Sequence, residues 1–220
     1  MLKRALKELK HFGLHFPTLR WPFRAVSVAD AGHASKTSNY AQECQMVLLA
    51  SDCNQSLTVH GDVVSQANLG LLGGSGHPLI TKSSKSKRIS HSTSKAETLS
   101  AVSTCTSAQH IAMRYTEAYT VVPASATRRH MIQLMQTIQD KGQYLIRIDH
   151  WTDCKDFWEL CCGVKGIPAD KSQRLSVLMM REDRLTGKIR NLILVDTANM
   201  IGDGLTKPGL FPELMRLQTC

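Results

Sequence analysis

The stretch SKAETLSAVSTCTSAQHIAMRYTEAY, residues 94–119, is the longest helical pattern in the chain. Ala96, Leu99, Val102, Ile111 and Tyr115 fall near one face of it, and Ala101, Cys105, Ala108 and Ala112 are small enough to let that helix approach a sheet closely. The neighbouring segments supply the sheet. Residues 24–30 (RAVSVAD) alternate as a half-buried strand, 42–50 (QECQMVLLA) form a more apolar one, and 87–92 (KRISHS) read as a short third strand. Between 53 and 86 periodicity is lost and Gly70, Gly73, Gly74 and Gly76 accumulate, the mark of a long connection. A helix from about Thr127 to Gln139 follows, then a strand over 144–151 (YLIRIDHW). DCKDFWELCC starts another helix, Pro168 opens a further one through PADKSQRLSVLMMREDRL, and KIRNLILVD is the last strand. This order predicts an α/β domain with a mixed five-stranded sheet flanked by helices.

Length permits one sizeable domain with appendages: 220 residues, 42% of them hydrophobic. Residues 1–23 read as a connecting helix and a proline-broken linker, 24–210 as the domain, and 211–220 as a tail. Lys+Arg 27 against Asp+Glu 18 gives a net charge of +9, which suits a polyanionic partner such as nucleic acid, although a solvated basic surface gives the same total. Aromatic residues make up 5% of the chain, so base-stacking platforms are not expected. The seven cysteines show neither a C-x-x-C pair nor zinc spacing, which fits a reducing, intracellular location, cytoplasmic or nuclear. The start, MLKRALKELKHFG, lacks the apolar region of a secretory signal, and no apolar run is long enough to span a bilayer.

Four acids stand on four different elements: Asp30 at the end of the first strand, Glu97 at the head of the long helix, Asp153 at the end of the fourth strand and Asp203 in a late turn. Together they outline one oxygen-only site for a hard cation such as Mg²⁺, with Mn²⁺ as the alternative. Each also has a purely local explanation. Ser94-Lys95-Ala96-Glu97 is a capping box, Asp153 stands where an N-cap belongs, and Asp30 and Asp203 sit beside glycines in turn-like sequence. Other acids fit less well. Asp149 points to the same face as Asp153 but lies roughly 13 Å back along the strand, too far for a pair of ions about 4 Å apart. Asp156 suits the first turn of a helix, and Asp196 ends the last strand. Of the nine histidines, His150 is the best placed to act as a base, yet no partner stands near it in sequence.

The acid order, the Thr152-Asp153-Cys154 segment and the closing Asn199-x-x-x-Asp203-Gly-Leu-Thr-Lys run resemble the ribonuclease H domain of copia-type LTR retrotransposon polyproteins. The resemblance covers nearly the whole chain: MLKRALKELKHFGLHF is similar to the helix joining reverse transcriptase to ribonuclease H, and DKSQRLSVLMMREDRLTGKI to the basic helix and turn before the last strand. It implies a ribonuclease H-like fold and a metal-dependent endonuclease that cuts the RNA strand of RNA/DNA hybrids during reverse transcription. It further implies Asp30, Glu97, Asp153 and Asp203 as ligands of two Mg²⁺ ions, and an upstream reverse transcriptase domain as a partner.

Lys82, Lys85, Lys87 and Arg88 cluster before the long helix, and Arg174 and Arg181, with Arg184, lie on the late helix; these are the expected contacts to the nucleic-acid backbone. A solvated loop and an ordinary helix surface explain the same residues. Two further readings compete with the nuclease. One is a catalytically decayed nucleic-acid-binding module on the same fold; the other is an unrelated nuclease or integrase acting on DNA.

Overall fold

The computed structural model describes residues 18–32, 40–52, 76–86, 92–120, 125–197 and 200–206. Five strands, β1 (Phe23–Gly32), β2 (Gln42–Ser51), β3 (Gly76–Lys85), β4 (Arg147–Thr152) and β5 (Asn191–Leu194), form one mixed sheet in the order β3-β2-β1-β4-β5. The three leading strands run antiparallel, and β4 and β5 run parallel to β1. Four helices accompany them: α1 (Thr93–Tyr119), α2 (Arg128–Asp140), α3 (Lys155–Cys162) and α4 (Lys171–Leu185), with a last helical turn, α5, at Asp203–Thr206. This α/β architecture is compatible with the ribonuclease H-like fold expected from the sequence. Among the described residues no helix is long and apolar enough to cross a membrane.

The long helix lies on the sheet through its small residues. Ala101, Cys105, Ala108 and Ala112 are buried against β1 and the strands beside it, whereas Leu99, Val102, Ile111 and Tyr115 are only half-buried. A methyl-sized side chain lets the helix axis come closer than leucine would, so shape complementarity overrides hydrophobicity in choosing the buried stripe. Phe157, Trp158 and Cys161 of α3 and Val177 and Met180 of α4 complete that layer over Leu192 and Leu194, and the Trp158 indole donates to the Leu192 carbonyl at 3.0 Å. On the other face Val26, Val28, Cys44, Met46, Trp151 and Ile193 form a second core, packed by Met200, Ile201 and Leu205.

One expectation is corrected. The third strand is Gly76–Lys85, inside the stretch read as a connection, and Ser92 is the N-cap of α1. β3 is an edge strand, largely exposed, so its sequence HPLITKSSK is polar and carries no clear alternation. Pairing with β2 specifies it instead, from Gln42↔Lys85 to Ala50↔Gly76. Pro78 is accommodated where the register shifts between Val47 and Leu48, since a proline cannot donate to the ladder. Lys87 and Arg88 lie outside the described residues, as do residues 1–17 and 207–220.

Candidate metal centre

Parallel pairing places the ends of β1 and β4 side by side. The register Val28↔Trp151, continued by two residues, sets Asp30 next to Asp153. The turn after β5 then brings Asp203 in beneath them. Carboxylate oxygens of Asp30, Asp153 and Asp203 all lie within 4.8 Å of one another. Asp30 and Asp203 are buried, and Asp153 is the most open of the three.

Two glycines permit this approach. A Cβ on Gly202 would stand 3.1 Å from the Asp30 Cβ and 3.4 Å from the Cys44 sulfur, and one on Gly32 would stand 3.1 Å from the Thr206 carbonyl oxygen. Close passage of the 200–206 segment therefore depends on side chains that are absent. Thr206 fastens it by donating its hydroxyl to Asp30 Oδ2. Ser100, one turn along α1 from Glu97, ties helix to sheet through the carbonyls of Cys44 at 2.8 Å and Asp30 at 3.2 Å.

Glu97 enters from the helix and does not close a capping box. Ser92 caps α1 by accepting from the Lys95 N–H at 3.2 Å, while Glu97 Oε1 accepts from the Ala31 N–H at 3.1 Å. Its second oxygen, Oε2, is buried with no hydrogen-bond partner. Burial first, and then the negative charge of Asp30, pushes the Glu97 carboxyl up to about 9, with Asp153 adding to the rise. Asp153 likewise is not the N-cap of α3; that position is Cys154, which caps without a side-chain hydrogen bond. The local explanations for Glu97 and Asp153 are thus not what the structure shows.

The group fits a hard cation. Its donors are all carboxylate oxygens, drawn from three elements, and an unsatisfied buried oxygen stands beside them. A group of three aspartates that could hold a metal ion is therefore present, with Glu97 adjoining it. Sequence reasoning missed Cys44, directly across from Asp30 on β2, whose thiol is pushed up to about 12 by burial and by the charges of Asp30, Glu97 and Asp203. No spacing rule relates Cys44 to the acids, since only strand pairing brings it there. Thr206 and Gly202 were within reach, because both flank Asp203 in the closing segment.

The remaining candidates separate. Asp149 is fully buried at the far end of β4, where Oδ2 accepts from Arg24 at 3.0 Å and from Arg190 at 2.6 Å, and Oδ1 accepts from Arg190 and from Asn191, each at 2.9 Å. Arg190 also grips Asp52 with both terminal nitrogens. This is a structural hub. His150 is fully buried, paired with the Ser27 hydroxyl at 2.8 Å and pushed down to about 3 by burial, so it stays neutral and serves the core. Lys82 and Lys85 are exposed on β3 at the same end of the sheet as the acids, with Lys85 above the Tyr40 ring at 4.8 Å. Arg181 donates to the carbonyls of Leu160 and Lys165, and Arg184 to that of Cys161, which satisfies the end of α3. Arg174 holds the carbonyls of Pro168 and Ala169 before α4. Each of these arginines therefore has a structural use that the sequence did not show. Protein-family models, curated proteins and solved structures yield no match to this chain.

Proposed function

We propose that this chain is a metal-dependent endonuclease that hydrolyses the RNA strand of RNA/DNA hybrids, with Asp30, Glu97, Asp153 and Asp203 holding two Mg²⁺ ions, as part of a retrotransposon reverse transcriptase. The observation that carries the reading is the convergence of Asp30, Asp153 and Asp203 within 4.8 Å, with Glu97 alongside. Bound Mg²⁺ would activate a water for in-line attack and stabilise the departing 3′ oxygen. The protein's own part is positioning. Thr206 orients Asp30, the Ala31 N–H orients Glu97, and Asp153, the most exposed acid, marks the side from which a phosphodiester enters. Lys82 and Lys85 supply positive charge at that end of the sheet for the nucleic-acid backbone, in keeping with a net charge of +9.

The test is cleavage of an end-labelled RNA/DNA hybrid with Mg²⁺ and with EDTA, beside DNA and RNA duplexes of the same sequence. Mg²⁺-dependent cuts confined to the RNA of the hybrid support the proposal. Binding without cleavage would assign the chain to a non-catalytic nucleic-acid module, and cuts in duplex DNA would assign it to a different nuclease class.

A further inference from the structure

The outer face of α4 carries apolar side chains that no other element among the described residues covers. Leu175 is 61% exposed, Leu178 39% and Leu185 88%. Helix α4 is amphipathic in the ordinary sense on its inner side, where Val177, Met180 and Asp183 are buried against the body of the domain. The outer row is a second apolar stripe on the same helix. Lys171, Leu175, Leu178, Glu182 and Leu185 all lie exposed along it and recur at alternating spacings of four and three residues, the spacing of a coiled-coil seam. Scattered surface leucines are ordinary, whereas a row at this spacing on one helix offers a face against which a second helix can pack.

The row is complementary to itself. When two copies of α4 are set antiparallel, about a two-fold axis at the level between Ser176 and Val177, Leu175 faces the partner's Leu178 and Leu178 faces the partner's Leu175. In the same register Lys171 faces the partner's Glu182, and Glu182 the partner's Lys171. Leu185 then reaches the loop before the partner's α4, where Ile167 is 49% exposed. A two-fold interface requires this reciprocity, in which each residue meets its counterpart's mate. Parallel pairing would instead put Lys171 against Lys171 and Glu182 against Glu182, like against like.

We propose that this face of α4 is a homodimer interface, formed by antiparallel packing of Leu175, Leu178 and Leu185 and set in register by reciprocal Lys171–Glu182 ion pairs. Leucines give the seam its affinity and the charges fix its direction. The Asp170 carboxylate at the head of α4 bonds Lys95 at the head of α1, beside Glu97, so the antiparallel arrangement points the two acid clusters to opposite ends of the dimer. Each site stays open to its own substrate. The apolar character of the row argues against nucleic acid as its occupant, and the nearby guanidinium groups of Arg174 and Arg181 are already turned onto backbone carbonyls.

Sedimentation velocity of the full chain under reducing conditions, over a concentration series reaching about 100 µM, tests this, since a seam with a micromolar Kd is mostly dimeric there. The mass should rise from 24.4 kDa towards twice that value. Leu175→Glu should stay monomeric throughout, Glu182→Lys should weaken the dimer at least several-fold, and Lys171→Glu combined with Glu182→Lys should restore it. These positions are exposed, so the circular dichroism of each variant should match the parent. Monomer at every concentration, a dimer indifferent to Leu175→Glu, or failure of the double reversal to restore association would each overturn the proposal. So would a monomer whose Lys171→Glu variant loses affinity for a labelled RNA/DNA hybrid, an outcome that assigns the face to nucleic acid.

Discussion

The two ends of the central strands handle buried aspartate in opposite ways. At one end Asp149 faces Arg24, Arg190 and Asn191, so its charge is neutralised and both oxygens are used. At the other, Asp30 faces Asp153 and Asp203, and burial, reinforced by the charges of Asp30 and Asp153, holds the proton on Glu97. Burial alone does not distinguish a structural acid from a functional one; the sign of its neighbours does. A hub of opposite charges stabilises the metal-free fold. A cluster of like charges destabilises it, and a cation held there would relieve the repulsion.

Substitution at each end breaks the comparison most directly. Asp153→Asn should reduce cleavage of a hybrid below detection, because the proposed chemistry rests on the assembled site and accelerations of this kind represent about 8 kcal/mol or more, while circular dichroism and hybrid binding persist. Cleavage surviving in that variant would remove Asp153 from the site. At the opposite end, Asp149→Ala should cost about 3–5 kcal/mol in urea unfolding, since it removes the buried carboxylate that faces the Arg24 guanidinium. An unfolding midpoint unchanged from the parent would show that the hub contributes nothing. Asp149 is for that reason a poor neutral control for site variants; Glu117, exposed and paired with Arg114 among the described residues, is a better one.

Smaller effects sharpen the contrast. Mg²⁺ at about 100 times its Kd should stabilise the folded chain by about 2.7 kcal/mol, read as a rise in Tm that is lost in Asp30→Asn and kept in Glu117→Gln. An equal rise in both variants would place the ion elsewhere. The smallest effect is in pH. Glu97 is pushed up from 4.5 to about 9 in the metal-free fold, so the folded state holds that proton more tightly than the unfolded state. Its contribution is complete below 4.5 and is lost as the pH rises through about 9. Metal-free stability should fall over that window, and Glu97→Gln should flatten the slope. A slope unchanged in Glu97→Gln would mean another group is responsible.

Elements whose pattern is local were legible in the sequence. β1 and β2 alternate or run apolar, α1 carries its small residues at helical spacing, and α3 and α4 begin and end near the expected residues. β3 was not legible, because an exposed edge strand is specified by the strand beside it and not by its own hydrophobicity. The four acids were singled out as a set and the structure brings Asp30, Asp153 and Asp203 together, while Glu97 also satisfied the spacing of a capping box. Only the position of the Ala31 N–H separates the two roles. The Asp149 hub was invisible for a related reason: Arg24 is 125 residues away and Arg190 is 41 residues away, so no window along the chain contains the interaction.

The passage of residues 200–206 against β1, made possible by Gly202 and Gly32, has a consequence for the order of events on the ribosome. Asp30 is synthesised early, Glu97 and Asp153 in the middle, and Asp203 only after every strand of the sheet has been made. Until that last aspartate leaves the exit tunnel, the ligand set is incomplete. The proposed nuclease is therefore incomplete until Asp203 has emerged, and a chain interrupted before Asp203 is released without a finished site.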